Sequence, residues 1–146
     1  MNFPRIASAA VVAWIVSLGL GFLVNSVLLV GIFAPNAAIM RPEAELTANL
    51  PLGFVFLLIG FFAFAYAYAR GYEGGNGMME GIRFGVVVAL VVTGFGLIWQ
   101  YVMFPITGSM AAALIIDSIV EFAIYGAIVG AIYRPVEASA KQVATA

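Results

Sequence analysis

The sequence predicts an all-α integral membrane protein, a four-helix bundle with both termini cytoplasmic, and three observations predict it. Hydrophobic residues make up 64% of the 146 residues and charged residues 9%, against about 45–50% and about 25% in soluble domains. Four apolar stretches are each long enough to cross a bilayer core of about 30 Å, which takes about 20 helical residues. With the N-terminus inside, Arg5, Arg70, Arg83, Arg134 and Lys141 are all cytoplasmic and only Arg41 lies outside, the positive-inside pattern. The same composition excludes a soluble enzyme and a disordered chain. A net charge of −1, from six basic and seven acidic residues, excludes a nucleic-acid binder.

The first span is expected over residues 6–33. Its basic start, Met1 to Arg5, and the small residues after Phe33 imitate a cleaved signal peptide. Signal peptides have apolar regions of about 7–15 residues, and this run is far longer, so it is read as an uncleaved first helix. The outer loop, residues 34–49, carries Pro42 with Glu43 and Glu45 behind it. Proline at a first helical position and acids in the first turn predict a short helix lying on the membrane surface, as a lid, a docking element or simply a connector.

The second span is expected over 50–69. It includes an alternating stretch from Phe61 to Ala69 that imitates a strand, but the surrounding uncharged run makes it helical. As a helix it would stack Phe62 on Tyr66 and Phe64 on Tyr68. The inner loop, Arg70 to Gly77, reads as a flexible turn. Its Gly74-Gly75-Asn76-Gly77 lacks the Lys-Ser/Thr and the strand of a phosphate-binding loop.

The third span is expected over 79–104, entered through Arg83, and the fourth over 110–133, with no helix interrupted in mid-span. Tyr68, Tyr72 and Tyr133 fall at the inner interface and Trp99 and Tyr101 toward the outer one, as an aromatic belt would place them. The cytoplasmic tail is residues 134–146. From Val136 onward it reads as a loose polar segment that a partner contact would hold.

Small residues predict where helices pack. Gly77, Gly81 and Gly85 recur every fourth position, as do Gly126 and Gly130, and such spacing lets backbones approach closely, within the bundle or against a neighbouring subunit. A faint repeat aligns Gly19 to Val27 with Gly94 to Val102. If it reflects duplication, the halves are related by an axis along the membrane normal.

Asp117 and Glu121 are the most informative residues. They sit four apart on one face of the fourth span, with Glu121 near its centre. A charge there costs about 2.5–3.5 kcal/mol on insertion scales, so both are expected to face the bundle interior, a water-filled cavity or a partner. Counted at about 1.5 Å per residue, Asn25 and Thr93 fall in the same zone. Arg83 lies nearer the headgroups, with Glu80 three residues away. The expected cluster is therefore Asn25, Thr93, Asp117 and Glu121 without a counter-cation. It suits a proton or a cation, or else a polar knot that fixes helix register.

The chain has no Cys and no His. That removes thiolate chemistry, disulfides, the usual haem and zinc ligands and the usual general base. No catalytic residue, metal site or cofactor is expected.

The short basic start, Met40-Arg41-Pro42-Glu43, the Gly77/Gly81/Arg83-Phe84-Gly85 entry to the third span, Asp117, and Gly126-Ala127-Ile128-Val129-Gly130 together give a layout that resembles small four-span bacterial membrane proteins of unknown function. The resemblance implies a bacterial cytoplasmic (inner) membrane and no particular activity. The leading expectation is a non-enzymatic accessory or structural subunit that packs against itself or other membrane subunits within the lipid bilayer. The alternative is a small proton- or cation-coupled transporter or channel that uses Asp117 and Glu121.

Overall fold

A computed structural model describes residues 1–133, and among them every regular element is helical. The tail at 134–146, with Arg134 and Lys141, lies outside the described residues. Helix α1 is Phe3–Leu23, α2 Val30–Phe33, α3 Glu43–Gly71, α4 Gly77–Val92, α5 Ile98–Met103 and α6 Gly108–Ile132. Four helical segments are long and apolar enough to cross a membrane: Phe3–Leu28, Glu43–Gly71, Gly77–Met103 and Gly108–Ile132, of 26, 29, 27 and 25 residues. At about 1.5 Å per residue each exceeds the roughly 30 Å of a bilayer core.

Helix starts follow from local chemistry. The Asn2 side chain accepts from the Arg5 amide at the head of α1, Asn76 from Met79 at the head of α4, and Thr107 from Met110 at the head of α6. Each satisfies an amide that has no partner in the first turn.

Three boundaries differ from the sequence expectation. The surface helix expected in the outer loop is instead the first turns of α3, which runs unbroken from Glu43 to Gly71 with Pro51 inside it. Glu43 and Glu45 stabilise its start, and nothing between them and the span ends the helix. The first span is not continuous to residue 33. A π-turn covers Val24–Leu28, where the Leu29 amide reaches back to the Val24 carbonyl. The Asn25 side chain donates to the Gly21 carbonyl at 2.8 Å and competes with the backbone ladder. The third span likewise passes through a π-turn at Thr93–Leu97. Both π-turns lie within continuous helical runs, Phe3–Leu28 and Gly77–Met103, so they change the local winding without breaking a span. The two π-turns fall at different positions of the faintly repeated segments, so the repeat does not extend to this local geometry.

The core forms along two contacts. In α1, Ala9, Ala10 and Ala13 are fully buried, and this small-residue face lies against α3 and α6. Helices α4 and α6 run antiparallel in very close contact. A Cβ added to Gly81 would collide with the Gly126 carbonyl, one on Gly77 with that of Gly130, and one on Gly85 with that of Phe122. All five glycines marked out by their spacing thus pack on each other within one chain. Helices α3 and α4, in contrast, make little direct backbone contact. The space between them is filled partly by rings: Phe64 meets Phe84 at 4.9 Å and Phe122 at 5.9 Å, and Phe61 meets Tyr125 edge-on at 4.9 Å.

The rings of α3 depart from the expected intrahelical stacks. Among the described residues no ring contact joins Phe62 to Tyr66 or Phe64 to Tyr68. Phe64 and Tyr68 turn inward and share Phe84, while Phe62 and Tyr66 stay exposed. Tyr68 and Tyr133 are likewise buried. Tyr72 stacks on both, and the Tyr68 hydroxyl donates to the Gly77 carbonyl at 2.8 Å. Trp99 and Tyr101 do lie exposed.

The two ends of the bundle are closed by side chains. At the end away from the N-terminus, buried Asn36 accepts from the Thr107 amide at 2.9 Å and donates to the Thr107 hydroxyl and the Ile32 carbonyl. At the other end, Glu80 accepts from the Gly75 amide at 2.7 Å and from the Glu73 amide at 3.4 Å. The loop expected to be a flexible turn is therefore pinned to α4. No Arg83–Glu80 ion pair forms among the described residues, because the carboxylate is turned to these amides.

Candidate functional site

Helix α6 carries the site. Tyr125, Glu121 and Asp117 follow one another at four-residue intervals, so each lies one turn from the next along a single face. The Tyr125 hydroxyl donates to Glu121 Oε2 at 2.8 Å. The other Glu121 oxygen has no hydrogen bond among the described residues, nor has the Asp117 carboxylate. No group of three or more His, Cys, Asp or Glu that could hold a metal ion occurs among them either.

Glu121 and Tyr125 line a cavity of about 530 Å³ that reaches all four membrane-crossing segments. Helix α1 contributes Ser17 and Gly21, α3 the ring faces of Phe61 and Phe64, and α4 Phe84 and Val88. Among the described residues that line it, only Ser17, Glu121 and Tyr125 carry polar side-chain atoms. The Ser17 hydroxyl is already donated to the Trp14 carbonyl at 2.7 Å. Small, exposed residues of α3, Gly60, Ala63 and Ala67, also line it. The cavity is the direct result of the sparse contact between α3 and α4: α4 is drawn onto α6 by the glycine contacts, and α3 is drawn onto α1 by the alanine face.

The expected four-residue cluster does not assemble. Asn25 is exposed, and its amide bonds to its own helix. The Thr93 hydroxyl is buried at the start of its π-turn without a partner. Among the described residues no hydrogen bond joins Asn25, Thr93, Asp117 and Glu121 to one another. Depth along the span placed them at one level, but depth does not fix the angle about each helix axis.

Three contributors escaped the sequence reading. Tyr125 was legible, being a hydroxyl one turn from Glu121 on the same face. Asn36 carried no signal, because its partner is 71 positions away. Trp14, whose indole N–H donates to the Phe54 carbonyl at 3.1 Å, joins α1 to α3 and was equally silent.

Compared with protein-family models, with curated proteins and with solved structures, the chain matches none.

Proposed function

We propose that the protein is a non-enzymatic integral membrane subunit that works by packing against an apolar partner in its own membrane, either a second copy or another membrane chain. The observation that carries this reading is Asp117. It sits within a membrane-crossing helix and has no hydrogen-bond partner among the described residues. An ionisable group in a span faces the bundle, a cavity or a partner, and a neighbouring chain can supply the missing donor. Exposed Ile116 and Val120 flank it on α6, so the partner surface would be apolar around one polar contact. In gentle detergent, the wild-type protein is expected to run as an oligomer or with a co-purifying membrane protein, and Asp117→Leu to run as a monomer. A wild-type protein that runs alone as a monomer defeats the reading.

A second reading, a proton- or cation-coupled carrier, is favoured by the exposure of Glu121 to the cavity. Its test is ion flux into proteoliposomes, which Asp117→Asn with Glu121→Gln should abolish.

The proposed orientation places both termini in the cytoplasm of a bacterial inner membrane. Its support is the clustering of Arg5, Arg70 and Arg83 at one end and Arg41 at the other. Because the chain has no cysteine, single cysteines at Asn76 and Asn49 report it directly. An impermeant maleimide added to intact cells should label position 49 and spare position 76.

A further inference from the structure

We propose that the cavity beside Glu121 binds a hydrophobic organic cation: an ammonium or phosphonium centre carried on apolar groups. The proposal stands on the cavity alone and does not depend on the subunit reading. At about 530 Å³ the cavity falls within the roughly 300–1,000 Å³ of small-molecule sites, which are mostly apolar with a few placed polar groups. Its ring lining is dense. Phe61, Phe64, Phe84, Phe122 and Tyr125 all border it and pack on one another at centroid distances of 4.9–5.9 Å. Ring faces attract cations at close range, and several together form the cages that recognise substituted ammonium groups.

The charge pattern selects the sign. Among the described residues Glu121 is the one carboxyl on the wall, and one of its oxygens is left unpaired by Tyr125. Among the described residues no Lys or Arg lines the cavity. Arg83 borders a separate, smaller pocket of about 190 Å³ with Glu73 and Glu80. A cation entering the cavity therefore meets a carboxylate without a competing counter-ion, whereas an anion meets only repulsion.

The nature of the walls selects the class of cation. A metal ion such as Ca²⁺ needs about six to eight oxygen ligands to replace its water, and one carboxylate among phenyl rings cannot supply them. A cation that carries its own apolar shell needs no such replacement, and that shell satisfies the remaining wall. On its α3 side the cavity is bordered by Gly60, Ala63 and Ala67, which are small and exposed and so leave room for a bulky cation to approach from the surface of the bundle.

The test is equilibrium dialysis of radiolabelled tetraphenylphosphonium against the full chain in detergent, with uncharged triphenylphosphine oxide as competitor. The wild-type chain should bind the cation saturably, and the oxide should compete poorly. Glu121→Gln, which still accepts from Tyr125, should weaken binding on the order of tenfold or more through loss of charge. Phe84→Leu should weaken it several-fold. Gly60→Phe adds a ring at a residue that borders the cavity and where a built Cβ meets nothing within 4 Å; it should abolish binding with Glu121 intact, and it decides the matter if Glu121→Gln does not fold. Glu45→Gln, at an exposed side chain of α3 that does not border the cavity, should retain near-wild-type affinity. Absence of saturable binding, equal competition by the oxide, or undiminished binding in Glu121→Gln or Gly60→Phe would overturn the proposal.

Discussion

The Tyr125 hydroxyl holds Glu121 Oε2 at 2.8 Å across one turn of α6, so among the described residues the carboxylate midway along that helix is oriented by its own helix alone. Tyr125 is buried, and its ring is packed edge-on against Phe61 and Phe122. Tyr125→Phe keeps those ring contacts and removes only the donor. It should lower stability by about 1 kcal/mol, the net contribution of a hydrogen bond to a half-buried acceptor. Tyr125→Ala also leaves a hole and should cost about 3–5 kcal/mol. Glu121→Gln keeps an acceptor and should cost less than either. Thermal unfolding in detergent, followed by circular dichroism, orders the three. A Tyr125→Phe protein as stable as wild type would show that the bond contributes nothing.

Glycine-to-alanine changes should split by position. Alanine exceeds glycine in helix propensity by about 1 kcal/mol, so a glycine with open space around it is an opportunity for stabilisation. Gly53, within α3, has nothing within 4 Å of a built Cβ, and Gly53→Ala should be neutral or stabilising by up to about 1 kcal/mol. Gly81→Ala drives a methyl group into the Gly126 carbonyl and should destabilise by about 1–3 kcal/mol despite the better propensity. Gly126→Ala should match it, because the collision is reciprocal. Equal effects at Gly53 and Gly81 would mean that α4 and α6 are not in contact at this register.

These contrasts mark where the sequence is legible. Span positions follow from the length of the apolar runs, since a helix is the only open-ended way to satisfy a backbone in lipid. The glycine rows on α4 and α6 are equally readable, because a four-residue period puts them on one face. The π-turns are not. The first depends on one side chain, Asn25, taking a carbonyl that the ladder would otherwise use. The cavity is also illegible, because it arises from a tertiary choice: α4 closes on α6 while α3 closes on α1. Asp117 and Glu121 were visible as residues, and Tyr125 could have been added from spacing. The aromatic wall opposite them came only with the packing.

The Asn36–Thr107 clip should behave as a coupled pair. Asn36→Ala leaves the Thr107 amide without its acceptor and should cost about 1–3 kcal/mol. Thr107→Ala removes the hydroxyl that caps α6 and also accepts from Asn36, at about 0.5–2 kcal/mol. The double change should cost less than the sum, by an interaction energy of about 0.5 kcal/mol or more. Strict additivity in a thermal-unfolding cycle would show that the two loops are held together by other contacts.

Glu80 offers a prediction about local motion. Its carboxylate receives the Gly75 and Glu73 amides, and Gly74 between them adopts a φ of +95°, which L-residues with a side chain rarely take. Tyr72 adds a bond to the Gly75 carbonyl at 3.0 Å. The loop is therefore held by side chains at an exposed site, while the helices on either side are held by the glycine and aromatic contacts. Glu80→Ala removes the loop's anchor without touching those contacts. Amide hydrogen exchange at Glu73 and Gly75 should rise several-fold, and the unfolding temperature should move little, because local opening is set by local bonds. Gly74→Ala should act in the same region by strain, at about 1–2 kcal/mol. If Glu80→Ala left exchange in the loop unchanged, the turn would be held by its backbone geometry and Tyr72 alone.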